Sequence, residues 1–121
     1  MKDFRDLQVW NKTHELTLAI YRATAQFPRE EQYGLTQQLR RAAVSIGSNI
    51  AEGCGGRGNG EFHKFLQIAT GSASEVEYQL LLARDLGYMG DVYDQLAERI
   101  VEVKRMLAGL IRRVEAERLT H

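Results

Sequence analysis

Three histidines, one cysteine and several serines and carboxylates are the side chains of this 121-residue chain suited to catalysis or metal binding. A metal site inside a helical protein needs ligands on converging faces, as when Glu-x-x-His pairs on two helices meet glutamates from two others. His14 and Glu15 are adjacent and point in different directions, as do Glu75 and Glu77, two residues apart. His63 and His121 belong to no ligand pair. Cys54 has no adjacent histidine or lysine to lower its pKa and make it a nucleophile. Ser45, Ser48, Ser72 and Ser74 fall into no Ser-His-acid arrangement. The run GCGGRGNG, residues 53–60, is dense in glycine, but Walker and dinucleotide loops need a preceding strand, and the Walker loop also needs Lys followed by Ser or Thr. It reads as a flexible connection between helices. The expectation is a non-enzymatic protein without metal or cofactor.

A different pattern stands out in RRAAVSIGSNIAEG. Arg41, Ser45, Ser48 and Glu52 recur at helical spacing, beside an apolar stripe of Val44 or Ala43, Ile46 and Ile50. Small hydroxyl residues bracketed by opposite charges suit close packing against a second helix or subunit. Gly47 lies within this segment at a cost of about 1 kcal/mol relative to alanine, which close approach of a neighbouring backbone would explain. The segment IATGSASEVE repeats the texture with Gly71, Ser72, Ser74 and Glu75. Arg41 and Glu52 stand three turns apart, so each is expected to meet a polar partner on another helix or subunit.

Four helical patterns must position these residues. The first runs from Phe4 or Leu7 to Gln26, with Val9, Thr13, Leu16, Ile20, Ala23 and Phe27 inward, and Phe27-Pro28 stops it. A second follows Gly34 to Glu52 or Gly53, its core face being Leu35, Leu39, Ala42, Ala43, Ile46 and Ile50. The third spans Glu61 to Leu86, with Phe62, Phe65, Leu66, Ala69, Ala73, Val76, Leu80 and Ala83 inward. Asp91 is the expected N-cap of the last, whose stripe is Val92, Leu96, Ile100, Val103, Leu107, Leu110 or Ile111, and Val114. The final three residues, Leu119 to His121, are expected to fray. Long helices with short connections predict an all-α, antiparallel, up-down-up-down four-helix bundle, one domain over residues 1–121.

Sixteen basic and sixteen acidic residues cancel, which argues against a general grip on phosphates. Lys104, Arg105, Arg112, Arg113 and Arg118 nonetheless concentrate positive charge late in the chain, flanked by Glu98, Glu102, Glu115 and Glu117. Ring-like assembly would multiply such a patch, so these five are the nucleic-acid-contact candidates. The aromatic residues sit mostly at core-like positions, which predicts no exposed stacking platform. No run of 18 apolar residues indicates a membrane span, and the first ten residues lack the apolar stretch of a secretory signal. One cysteine excludes an internal disulfide framework and fits a reducing, cytoplasmic setting.

Taken in order, the chain carries Phe4-x-x-Leu7-x-Val9-Trp10, Ile20-Tyr21, Phe27-Pro28 and Tyr33-Gly34-Leu35. It continues with Gln38-x-Arg40-Arg41-Ala42-Ala43-Val44-Ser45-Ile46 and Asn49-Ile50-Ala51-Glu52-Gly53. Phe65-Leu66-x-Ile68-Ala69, Gly71-Ser72, Glu75 and Gly87-Tyr88 complete the set. In that combination it resembles the four-helix-bundle family of the 23S ribosomal RNA intervening-sequence protein, together with the accessory variability protein of diversity-generating retroelements. The resemblance implies an antiparallel four-helix subunit assembled as a five-membered ring. For the retroelement relatives it implies a non-enzymatic partner of a reverse transcriptase that engages RNA or DNA. Arg40, Arg41, Ser45, Asn49, Glu52, Ser72 and Glu75 match the family's shared polar positions and are expected in bundle or subunit packing, as is Ser48 by its spacing. The balanced charge of this chain places it nearer the intervening-sequence branch, which has no assigned molecular role.

Overall fold

The computed structural model describes residues 3–119. Helix α1 covers Gln8–Thr24, α2 Leu35–Cys54, α3 Asn59–Asp85 and α4 Tyr93–Leu119, with 3-10 turns at Phe4–Asp6, Arg29–Glu31 and Gly90–Val92. Helix α1 packs on α2, α2 on α3, α3 on α4, and α4 closes back on α1. That cyclic order is the up-down four-helix bundle anticipated from the periodicity.

Each helix end has a local cause. Phe27 and Pro28 halt α1, but the regular helix ends at Thr24, and Ala25–Phe27 complete a tighter turn through bonds such as Phe27 N to Thr24 O at 3.1 Å. Glu31 starts α2: its Oε1 accepts the Leu35 amide at 3.1 Å, satisfying an amide that the first helical turn leaves open. Helix α3 ends in a Schellman motif. Gly87 takes φ +82°, Tyr88 N donates to Ala83 O at 2.9 Å, and Gly87 N donates to Arg84 O at 2.9 Å. The expected start of α3 at Glu61 moves back to Asn59, so the glycine-rich connection shrinks to residues 55–58, where Gly58 turns the chain at φ +105°. Asp91 lies inside the 3-10 turn feeding straight into α4, so it is not the N-cap. Leu119 is the last described residue and is still helical, whereas the expectation for Thr120 and His121 lies outside the described residues.

One core fills the bundle. Leu16 and Ile20 of α1 meet Leu39, Ile46 and Ile50 of α2, Leu66, Val76 and Leu80 of α3, and Ile100, Val103 and Leu107 of α4, all essentially inaccessible. Of the open alternatives, Ala43 and Leu110 are the buried members, while Val44 is exposed and Ile111 only half-buried. Phe65 and Ala23 are half-buried rather than core, and Val92 is 40% exposed. The register is right, but these three sit where a seam between helices meets solvent.

Glycine 47 does not hold a backbone close. A methyl there would lie 3.5 Å from Trp10 Nε1 and 3.7 Å from Thr13 Cγ2, which is ordinary contact. Within α2 the tight position is Gly53, where a Cβ would come within 2.9 Å of Phe62 Cδ1 and 3.0 Å of Phe65 Cβ. We expect Gly47→Ala to raise stability by about 0.5–1 kcal/mol through helix propensity. Gly53→Ala should lower it by about 1–3 kcal/mol by forcing the α2–α3 contact apart. Urea unfolding of both variants checks the contrast, which reverses if Gly47 is the position of close approach.

Candidate functional site

The candidate polar residues divide into two groups by the direction they face. Ser45 of α2 and Ser72 of α3 share a hydroxyl–hydroxyl hydrogen bond of 2.8 Å across the helix pair. Asn49 Nδ2 donates to the Ser45 carbonyl at 2.8 Å and to its Oγ at 3.0 Å. These three therefore form an intrachain polar ladder, buried or half-buried, that fits because Ala42, Ala69 and Ala73 around it are small. Each such bond contributes about 1 kcal/mol net, and losing one partner strands the other. Arg41, Ser48, Glu52 and Glu75 face outward and are exposed. Among the described residues none of these four has a hydrogen-bond or ion-pair partner. Arg41 and Glu52 thus make no ion pair with each other or with another helix among the described residues.

Arg40 and Arg41 are neighbours in sequence with different surroundings. Arg40 Nε donates to Thr24 Oγ1 at 2.8 Å, its Nη2 donates to the Tyr21 carbonyl at 3.2 Å, and its guanidinium lies 4.6 Å from the Tyr21 ring centroid. Thr24 in turn donates to Ile20 O at 2.7 Å. Arg40 therefore closes the C-terminus of α1, where a cation offsets the partial negative charge of the last carbonyls. Arg41 borders an open groove of about 970 Å³ between α2 and α3, with Tyr33, Ser45, Ser72, Glu75 and Gln79 around it. The Gln79 side chain is buried there, and its Oε1 has no hydrogen-bond partner.

Around this groove the surface is apolar as well as polar. Val44 is 44% exposed, Ile68 43%, Tyr78 62% and Tyr33 84%. Positions 68, 71, 75 and 78 fall on one outward face of α3, so Ile68 and Tyr78 flank the bare backbone of Gly71 and the Glu75 carboxylate. A methyl on Gly71 would meet nothing within 4 Å. The expectation that aromatics belong to the core fails for these tyrosines. Helical period alone cannot separate a second apolar face from a broad first one, and α3 is the least one-sided of the four helices.

The basic candidates of α4 also separate. Lys104 donates to Glu77 Oε1 at 2.7 Å and is half-buried, so it braces α4 on α3. Arg105, Arg112, Arg113 and Arg118 are exposed. Two of their acidic neighbours have partners on α3: Glu115 pairs with His63 Nε2 at 2.8 Å, and Asn59 Nδ2 donates to Glu117 Oε2 at 3.0 Å. His63 and Asn59 thereby tie the start of α3 to the end of α4. Cys54 is buried at the end of α2. Among the described residues, no group of three His, Cys, Asp or Glu side chains is placed to hold a metal ion. No described helix is long and apolar enough to cross a membrane.

At the other end of the bundle, Tyr88 donates its hydroxyl to Glu31 Oε2 at 2.9 Å. That hydrogen bond to a carboxylate holds the phenol above its ordinary pKa of 10.0. Glu31 joins two elements through its two oxygens, the first turn of α2 and the α3–α4 connection. Sequence spacing gave no sign of it, because residues 31 and 88 are joined only by the fold.

A family model for the 23S rRNA-intervening sequence protein matches residues 5–109. The chain belongs to that family. It is also similar to a crystal structure of a protein of unknown function from the S23 ribosomal protein family of Bacteroides thetaiotaomicron, with 26% identity and a TM-score of 0.79. That similarity covers 86% of this chain and 95% of the other. No curated protein matches. The motif blocks quoted from the sequence fall within the matched residues, apart from Phe4 at the edge.

The different surroundings of the two arginines give a direct test. Arg40→Ala should cost about 1–2 kcal/mol of stability, since it removes the cation and two hydrogen bonds that hold the C-terminal turn of α1 on α2. Arg41→Ala should cost under about 0.5 kcal/mol in the isolated subunit, as for other exposed side chains. Chemical unfolding at a concentration low enough to favour single subunits reads both. Equal losses would contradict the assignment.

Proposed function

We propose that this protein is a non-enzymatic, homo-oligomeric scaffold or adaptor of the cytoplasm, and that the outer α2–α3 face is where its subunits meet. The observation that carries the reading is the mismatch on that face. Val44, Ile68 and Tyr78 are exposed beside Arg41, Ser48, Glu52 and Glu75, whose side chains have no polar partner among the described residues, and beside the partnerless Gln79 Oε1. Exposed apolar side chains grouped with polar ones on a single face suit a protein–protein contact. Small residues such as Gly71 and Ser48 let a second helix approach without displacing side chains. Cationic Arg41 in the first half of α2 and anionic Glu52 near its C-terminus fix the direction in which a neighbour can lie. A five-membered ring, implied by the family resemblance, is the assembly we favour.

Light scattering across a wide concentration range tests the assembly. The wild-type protein should have a mass several times that of one chain. Ile68→Glu and Val44→Glu should each convert it to single subunits with unchanged helical circular dichroism. A wild-type protein that is monomeric at every concentration removes the proposal. So does an oligomer indifferent to both substitutions.

A second reading, a nucleic-acid-binding accessory protein partnering a reverse transcriptase, draws support from α4. Because His63 and Asn59 occupy Glu115 and Glu117, the carboxylates nearest Arg112 and Arg113 are held toward α3. In a ring the exposed arginines of several subunits would add. On this reading, fluorescence anisotropy with structured RNA and duplex DNA gives micromolar binding that weakens with salt and disappears in Arg112→Gln/Arg113→Gln. An intact oligomer that binds neither removes it.

A further inference from the structure

The seam between α1 and α4, the most lightly packed of the four, opens into a cavity of about 350 Å³ near the α3–α4 connection. Met89 and Leu96, both buried, form its floor. Ala19 and Ala23 line the α1 side, and their short side chains leave the space that larger residues would fill. Val92 lies at its edge, which accounts for an exposed valine in the expected core stripe. Its volume falls in the range of about 300–1,000 Å³ typical of small-molecule sites. The Tyr88 hydroxyl is already committed to Glu31, so that residue offers the cavity its ring.

Charge decides what could occupy it. The charged side chains lining the cavity are Arg22 and Arg99, one from each helix, and no carboxylate accompanies them. Neither arginine has an ion-pair or hydrogen-bond partner among the described residues. In a chain with equal numbers of acidic and basic groups, two unmatched guanidiniums beside an apolar hollow are a local arrangement, not a product of net charge. A neutral hydrocarbon would leave both cations unmatched. A small hydrophilic dianion would leave Met89, Leu96 and Val92 uncovered. An occupant with an apolar body and one planar anionic group satisfies both.

We propose that the α1–α4 cavity binds a small amphipathic carboxylate, its apolar body against Met89, Leu96 and Val92 and its carboxylate between Arg22 and Arg99. The flexible thioether of Met89 lets the floor adjust to aliphatic or aromatic bodies. The site lies on the opposite side of the bundle from the α2–α3 face, so it does not depend on the assembly reading.

Calorimetric titration of the wild-type protein with octanoate, octanol and octylammonium tests the proposal. Octanoate should bind saturably, octanol about tenfold or more weakly because it lacks the charge, and octylammonium not at all. Arg22→Gln and Arg99→Gln should each weaken octanoate by about tenfold or more. Ala23→Leu should fill the cavity and abolish binding while the thermal midpoint holds or rises, which separates a blocked site from a misfolded protein. Absence of octanoate binding overturns the proposal, as does octanol binding as tightly as octanoate, or octanoate binding that survives Ala23→Leu. A seam covered by a second copy of the chain would appear as wild-type protein that binds no octanoate until dilution dissociates it, and it too overturns the proposal.

Discussion

The close antiparallel contact between α2 and α3 is the constraint on which the rest of the bundle depends. It is built from side chains with little bulk: Ala42, Gly53, Ala69 and Ala73, with Ser45 and Ser72 bonded across the pair. Helices carrying such residues approach closely, and the Ser45–Ser72 bond keeps the hydroxyls from being buried unsatisfied. At one end Gly53 leaves room for Phe62 and Phe65, so the chain reverses within residues 55–58. Helices α1 and α4 then close the core from the other side, fastened at their ends. Arg40 holds the end of α1, Glu31 links the start of α2 to Tyr88, and His63 and Asn59 hold the end of α4.

Much of this was legible in the sequence because buried residues recur at helical spacing. All six expected core residues of α2 are buried, as are seven of the eight of α3 if Phe65 is set aside. The errors fall where a second influence acts on the same residues. Val92 and Ala23 follow the core period yet border a seam that does not close. Asp91 has the chemistry of an N-cap, but the 3-10 turn before α4 continues into the helix without a break. Gly47 looked like a close-packing glycine, whereas Gly53, at the edge of an unremarkable loop, is the crowded one. A helical wheel gives the direction a residue faces but not the distance to its neighbour.

The polar stripe was half legible for a related reason. Spacing placed Arg41, Ser45, Ser48 and Glu52 near one side of α2, but adjacent positions on that side differ by a fraction of a turn. That fraction sends Ser45 and Asn49 into the α3 contact and leaves Arg41, Ser48 and Glu52 facing away. Arg40 and Arg41, adjacent in sequence, part in the same way. Pairings between residues far apart in the chain, such as Glu31 with Tyr88 and His63 with Glu115, have no periodic signature and emerge only from the fold.

The two distinctive surfaces arise from opposite treatment of two opposite seams. At the α2–α3 seam small residues let the helices meet through the Ser45–Ser72 bond, and the space left is the open surface groove beside Arg41 and Tyr33, on a face with exposed Ile68 and Tyr78. At the α1–α4 seam small residues, Ala19 and Ala23, meet no matching close approach, and the space stays open beneath Arg22 and Arg99. The same side-chain type therefore gives a tight contact or a cavity depending on the interhelical distance, which the connections at the helix ends set. The short 55–58 turn draws α2 and α3 together, while α1 and α4 have no direct connection and meet through packing and the Lys12–Glu102 ion pair at 3.9 Å. Residues on the two seams share no polar partner, so substitutions at one should leave the other's energetics nearly unchanged.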